Sequence, residues 1–428
     1  MNNFVTESLG EICSKVKGDI RTGPFGSQLH ESDYSEFGIP VVMPKNIIEG
    51  RITENDIARV KDAHVERLLI HKLNIGDIVY GRRGDIGRRA IVTQKELGWL
   101  CGTGCLRLSL QGNILNTKYL YYYLGQDTVI AWIKGQAIGA TMPNLNTSIL
   151  KSVKIAYPPL PIQRKIAAVL SAYDDLIENN NRRIKILEEM AQNLYREWFV
   201  KFRFPGHEQA RFQDSSLGRI PAGWEVRKIG DVAEITGGGT PSTNNAEFWN
   251  KGTVNWYSPT DLTRHQGFFI DESSKKITEQ GLSKSSARLF PAYSVMMTSR
   301  ATLGVIAINT KAACTNQGFI TCIPNDDLHM YEIYYWLEEN KDEMISRASG
   351  ATFKEITKTN FREYLITLPN WEIKEKFIEQ VDPILRNVEK LLRKNANLRR
   401  TRDLLLPRLI SGELDVEDLD IDVAGLEA

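Results

Sequence analysis

Long apolar runs are missing from this 428-residue sequence. No stretch reaches the roughly 18 uninterrupted apolar residues of a membrane span, and the opening MNNFVTESLGEICSK lacks the apolar core of an export signal, so a cytoplasmic location is expected. Cysteine is scarce as well. Cys13, Cys101, Cys105, Cys314 and Cys322 make no CxxC pair, and no second Cys or His pair follows Cys101 and Cys105 at zinc-finger spacing; buried reduced thiols are expected rather than a metal site. Neither sign of charge is in excess: the formal net charge is +1, and regional balances run only from +4 in residues 1–160 to −3 in residues 371–428. Bulk charge therefore gives no reason to propose a polyanion ligand, and any nucleic-acid surface must be local. Catalytic signatures are absent too. There is no G-x4-GK[ST] nucleotide loop, no GxGxxG behind a strand, no helicase pair, and no convincing Ser/His/Asp or metal-carboxylate set. The methyltransferase string, Asn or Asp before Pro-Pro and an aromatic, is also missing; Tyr157-Pro158-Pro159-Leu160 has its elements in the wrong order.

What the sequence does have is ordinary globular composition, 42% apolar and 25% charged, and a length that calls for two to four domains. It also has an internal repeat of long period. Gly139-Ala140-Thr141 returns as Gly350-Ala351-Thr352, an offset of 211, and at the same offset YPPLPIQRKI from Tyr157 lies over LPNWEIKEKF from Leu368. Earlier in each half the offset drifts. LGEI from Leu9 matches IGDV from Ile229, 220 apart, and Arg83 to Gly87 matches Arg300 to Gly304, 217 apart. Small loop deletions explain the drift. The globular parts read as mixed α/β: DIVYG, RRAIVTQ, YSVMMTS and GVIAINT have strand length between turn residues, while NTKYLYYYLGQDTVIAWI and MYEIYYWLEENKDEMIS are apolar at helical spacing.

After Pro161, residues Ile166, Leu170, Tyr173, Ile177, Asn180, Ile184, Leu187, Ala191, Leu194 and Trp198 follow a 4,3 alternation. Adding 211 gives Phe377, Val381, Ile384, Val388, Leu391, Asn395, Leu398, Arg402, Leu405 and Leu409. Each series is a coiled-coil seam of about 40 residues, roughly 60 Å long. Two such stripes in one chain bury each other if a pseudo-twofold axis runs them antiparallel. Asn180 and Asn395 then either pair across the seam and fix its register, or both face solvent. Pro383 is expected to kink or interrupt the second helix. A spacer of this length would hold two unlike heads apart on the scale of the roughly 34–36 Å duplex repeat, suiting two unlike half-sites.

Six strings, TGPFGSQL (Thr22 to Leu29), IGATMPNLN (Ile138 to Asn146), PPLPIQRKIA (Pro158 to Ala167), REWFVKFRFPGH (Arg196 to His207), IPAGWEV (Ile220 to Val226) and LLPRLISGELDV (Leu405 to Val416), resemble the framework motifs of the specificity subunit of type I restriction-modification enzymes. The resemblance covers essentially the whole chain in order. It implies two target recognition domains, 1–157 and 225–368, each followed by a conserved spacer helix, 158–204 and 369–412. The polar run 205–224 between the halves reads as a linker, and the acidic tail 413–428 as a solvated end. The resemblance further implies a non-catalytic subunit that reads a bipartite, asymmetric target in double-stranded DNA and docks two methyltransferase and two restriction (translocase-nuclease) subunits. S-adenosylmethionine, ATP and Mg would belong to those subunits, with no cofactor in this chain. A solitary DNA-binding regulator or decoy of the same fold, and a coiled-coil scaffold without DNA specificity, are the alternative readings. The second half departs from the Pro-Leu-Pro-x-Gln motif at Pro369-Asn370-Trp371-Glu372-Ile373-Lys374, which argues against strictly symmetric contacts there.

Among single residues, the sharpest DNA signal is GRRGDIGRR: Arg82, Arg83, Arg88 and Arg89 in a Gly-containing turn can clamp phosphates or present a fork to guanine. Its counterpart carries Arg300 with Thr302, leaning more on neutral hydrogen bonds. The matching early loops expose Ser27 and Gln28 in one half, Thr240 and Ser242 in the other. Lys45 and Asn46 follow a strand-like run and are candidates for base contacts or ordinary turn roles. Thr141, Asn144, Thr352 and Lys354 precede the strands that feed the long helices, as phosphate contacts or structural caps. Tyr195, Trp198 and Phe199, with Leu405 and Leu409, crowd equivalent helix ends and either anchor other subunits or pack within the molecule.

Overall fold

The computed structural model describes residues 4–25, 28–136, 144–265, 267–350 and 354–424. The chain divides into two compact units, residues 1–178 with 396–428, and residues 179–395. In the first, one sheet orders strands Asp19–Thr22, Cys105–Ser109, Ile78–Gly81 and Arg89–Ile91, and a second carries Leu100–Cys101, Ile39–Val42, Ala58–Val60 and Tyr34–Ser35. Ile78–Gly81 is buried along its whole length, as the continuous apolar run IVYG of a central strand requires. The second unit has the same plan. Glu234–Gly237, Phe319–Ile323, Val295–Arg300, Thr302–Asn309 and Phe269–Ile270 form one sheet, and Lys275–Ile277, Val254–Tyr257 and Ala313–Thr315 another.

The repeat holds at the level of strand register. Val5 pairs with Tyr157 and Glu225 with Leu368; Leu100 pairs in parallel with Val41 and Cys314 with Trp256; Cys105 pairs with Gly81 and Phe319 with Thr298. All five cysteines are free and buried, and burial pushes the Cys101, Cys314 and Cys322 thiols up to about 12. No helix among the described residues is long and apolar enough to cross a membrane.

Two long helices, α1 (Leu160–Tyr195) and α2 (Trp371–Ile410), each give one half to either unit. Within each unit the halves run antiparallel. In the first, Arg402 pairs with Asp174, while nine residues earlier on α1 Lys165 Nζ donates to the carbonyls of Glu417 and Leu419, beyond the end of α2 (2.6 and 2.8 Å). In the second, Asn180 Nδ2 donates to Asn395 Oδ1 at 2.8 Å, and Asn395 Nδ2 to Asn181 Oδ1 at 2.8 Å. Fifteen residues further along α1, Tyr195 meets the Phe377 ring (centroids 6.0 Å apart). Asn180 and Asn395 are both buried among apolar seam residues, so each amide can be satisfied only in this register.

Several expectations are corrected. Helix α2 runs unbroken through Pro383, whose ring lies on the exposed face, where the carbonyl it leaves unpaired can be hydrated. The run 205–224 is not a bare linker: Phe212–Ser215 pairs with Gly218–Pro221, and Phe204, Ile220 and Trp224 join the core of the second unit. The acidic tail is not freely solvated either, since Val416 is buried and Leu414 and Ile421 pack against the first core. Where the motif departs, Gln163 in the first unit accepts from Asn116 N–H (2.8 Å) and donates to the carbonyls of Ile114 and Pro158. Its counterpart Lys374 donates to the Asp326 carbonyl (2.5 Å) and lies 4.0 Å from buried Glu332. An ionisable pair thus replaces an amide.

Two stability predictions follow from these buried polar groups. Asn180→Leu strands the Asn395 carbonyl and should cost about 1–3 kcal/mol, whereas Asn180→Leu with Asn395→Leu should restore the parental midpoint in thermal denaturation. Burial pushes the Glu332 carboxyl up to about 7, against an ordinary value of 4.5. The fold then holds a proton that the unfolded chain releases, so this contribution is full below the ordinary value and lost as pH rises through about 7. Glu332→Gln should flatten the fall of the thermal midpoint between about pH 5 and 8.

Candidate nucleic-acid interface

At the end of the central strand Ile78–Gly81, two loops are tied to one residue through main-chain atoms. The Arg82 N–H donates to the Gly104 carbonyl (3.0 Å), and its own carbonyl accepts from Leu145 N–H (2.9 Å). Gly23 rests against the 101–104 turn so closely that a Cβ would sit 1.9 Å from the Gly102 carbonyl oxygen. Pro44 packs against Gly81 and Gly104, which brings Lys45 alongside. Phe25, Lys45, Arg83 and Asn144 therefore share one rim.

The second unit is stitched the same way. Ser299 N–H donates to the Gly318 carbonyl (2.8 Å), the Ser299 carbonyl accepts from Ile356 N–H (2.9 Å), and a Cβ on Gly238 would lie 2.1 Å from the Thr315 carbonyl oxygen. Arg83 bridges Asn144 as Arg300 bridges Glu355. Two offsets found separately in the sequence, 217 for the arginines and 211 for the segments before the helices, meet in this one bridge. The second rim collects Thr240, Gln317, Arg300, Thr302 and Lys354. Thr240 Oγ1 donates to Gln317 Oε1 (2.7 Å), Ala301 N–H donates to the Lys354 carbonyl (3.2 Å), and the Lys358 ammonium lies over Gly237.

The rims change the list of candidate contacts. Arg82 is only 6% exposed: its Nε donates to Asn144 Oδ1 and the Leu145 carbonyl, both at 3.2 Å, and its guanidinium lies 5.6 Å from the Phe25 ring centroid. Burial, with Arg83 beside it, holds its pKa below the usual guanidinium value, and Nη1 is buried without a hydrogen-bond acceptor. Arg82 is thus a strut and not a surface contact. Arg89 is another, stacked on the Tyr121 ring at 4.6 Å and donating to the carbonyls of Tyr121 and Gly87. Asn46 is fully buried, with its amide closing a turn onto Met43 N–H and the Asn55 carbonyl.

The remaining candidates stay on the surface. Gln28, Lys45, Arg83, Arg88, Thr240, Ser242, Arg300, Thr302 and Lys354 are exposed, although Asp85 partly neutralises Arg88 at 3.1 Å. Gln28 Oε1 also accepts from Phe25 N–H (3.2 Å). Ser27, Thr141 and Thr352 lie outside the described residues. Tyr195, Trp198 and Phe199 are consumed by the core of the second unit, around Phe377, Tyr335 and Trp224, and Leu409 by that of the first, with Leu405 packed at its edge; none of these four buried side chains is offered to another subunit. Sequence reasoning missed Phe25, Gln317 and Lys358. Only Phe25 left a signal, an aromatic between glycines in a loop.

The family described as "Type I restriction modification DNA specificity domain" matches residues 2–189 and 221–399. The chain is 31% identical to the type I restriction enzyme MjaIX specificity subunit of Methanocaldococcus jannaschii, over 71% of this chain and 70% of that one. It is 24% identical to the HindI specificity subunit of Haemophilus influenzae, over 97% of this chain and all of that one. In fold it is similar to the S subunit of a type I restriction-modification system from M. genitalium, with a TM-score of 0.55, 16% identity, and coverage of 95% and 96% of the two chains.

The strut and the surface arginine should separate in a thermal-shift comparison. Arg82→Ala removes a buried tether and should lower stability by about 1–3 kcal/mol, while Arg83→Ala should leave the midpoint within about 0.5 kcal/mol of the parent.

Proposed function

Because this chain belongs to the type I restriction-modification DNA specificity family, we propose that it is the non-catalytic DNA-reading subunit of a cytoplasmic restriction-modification complex, with each rim reading one half of a split, asymmetric duplex target. The observation that carries this reading is a rim built twice on the same main-chain stitching and dressed with different side chains. The first carries the exposed cations Lys45 and Arg83 with an aromatic, the second Arg300 and Lys354 with a Thr–Gln pair. Identical scaffolds with unlike surfaces suit unlike half-sites. Exposed cations supply salt-dependent affinity through phosphates, and the neutral side chains between them read base edges. Two methyltransferase subunits and two restriction subunits bring the chemistry, with S-adenosylmethionine, ATP and Mg bound by them. The exposed faces of α1 and α2 are the docking surface, since the aromatic cluster at the end of α1 is spent internally.

The test is co-expression with the cognate methyltransferase subunit, co-purification, and methylation mapping on genomic DNA. The expected result is a stable complex that modifies one bipartite asymmetric sequence, and replacement of residues 1–155 by another family member's head changes one half-site only. A chain that binds DNA selectively but recruits no methyltransferase is instead a regulator or decoy, and one that retains no sequence selectively is a scaffold.

A further inference from the structure

The two rims differ most at one equivalent position. Gly23 corresponds to Gly238, each lying flush on its neighbouring turn, so two residues on Phe25 corresponds to Thr240. In the second unit that position is a hydroxyl held by Gln317. In the first it is an aromatic ring 49% exposed, large and apolar on a polar rim.

This ring is not a loose surface residue. Its N–H is held by Gln28 Oε1, and its carbonyl accepts from the N–H groups of Gln28 (2.7 Å) and Leu29 (3.1 Å). The buried Arg82 guanidinium, tied to Asn144 and Leu145, braces the ring. A half-exposed Phe by itself means little. Here, however, three hydrogen bonds fix its main chain and a desolvated cation braces its ring, although an apolar ring gains nothing from being fixed in water. Lys45 and Arg83 are exposed cations of the same rim, suited to phosphates.

Resting on the reading of function above, we propose that Phe25 is a specificity-determining residue of the first half-site, packing its free face against the 5-methyl group of a thymine in the major groove. Insertion between stacked bases needs both ring faces clear, and the Arg82 brace occupies part of the ring surface; contact with a methyl needs only one. Arg82 acts through Phe25 as a positioning residue. Thr240, braced by an amide, gives the second half-site a polar contact at the same place.

The experiment uses the co-purified methyltransferase complex and duplexes carrying its mapped target, with each thymine of the first half-site replaced singly by deoxyuridine, which lacks only the methyl. For the parent, one such replacement should weaken binding roughly fourfold, the worth of one buried methyl. Phe25→Ala should bind the thymine duplex roughly tenfold more weakly, lose discrimination at that position alone, and keep both its salt slope and its melting midpoint. Phe25→Leu, still apolar, should keep part of the discrimination. The assignment is overturned by a first half-site without a T·A pair, by parental discrimination in Phe25→Ala, or by a Phe25→Ala effect that appears only as a changed salt slope. A parent complex that selects no sequence overturns the functional reading itself, and this assignment with it.

Discussion

Everything in this chain depends on the need of two apolar stripes to leave water. Neither α1 nor α2 can be a stable solitary helix with an uncovered seam along its length, because helices in water owe most of their stability to the packing of an apolar face. Each half of each helix finds its cover in an antiparallel half of the other. The asparagine amides at 180 and 395 then permit one register among those that apolar contact alone would tolerate. In each unit a two-stranded sheet leads directly into a long helix, through the strand Lys154–Tyr157 in the first and Leu365–Leu368 in the second.

The halves preserve backbone geometry more faithfully than chemistry. Gln163 and Lys374 occupy the same framework position, yet one is a neutral amide saturated by main-chain groups and the other an ammonium near a buried carboxyl. Arg82 and Ser299 likewise make the same pair of main-chain bonds, while one side chain braces a loop and the other is a small buried hydroxyl. The two halves thus share main-chain architecture and differ in the side chains mounted on it, as the proposed reading of two unlike half-sites requires.

Much of the fold was legible because it rests on periodicity. The 4,3 alternation located both helices, and offsets of 220, 217 and 211 anticipated the matched registers. The asparagines were legible because a polar residue stands out in an apolar seam. The rim was less so. GRRGDIGRR announces four guanidiniums, but whether one points outward depends on the turn that places it, and Arg82 and Arg89 fold inward onto carbonyls supplied by residues far away in sequence. Asn46 reads as a surface amide for the same reason. The segment 205–224 misleads by composition, since a polar hairpin holding a few large apolar side chains resembles a tether until its tryptophan finds a core.

The stitching of each rim is made by amide hydrogens and carbonyl oxygens, groups that nearly every amino acid supplies alike. Substitution of the exposed rim side chains therefore leaves the ties intact, so the surface of a rim can vary without repair of its framework. Only a few spots, such as Gly23 and Gly238, where no Cβ fits, are closed to such drift.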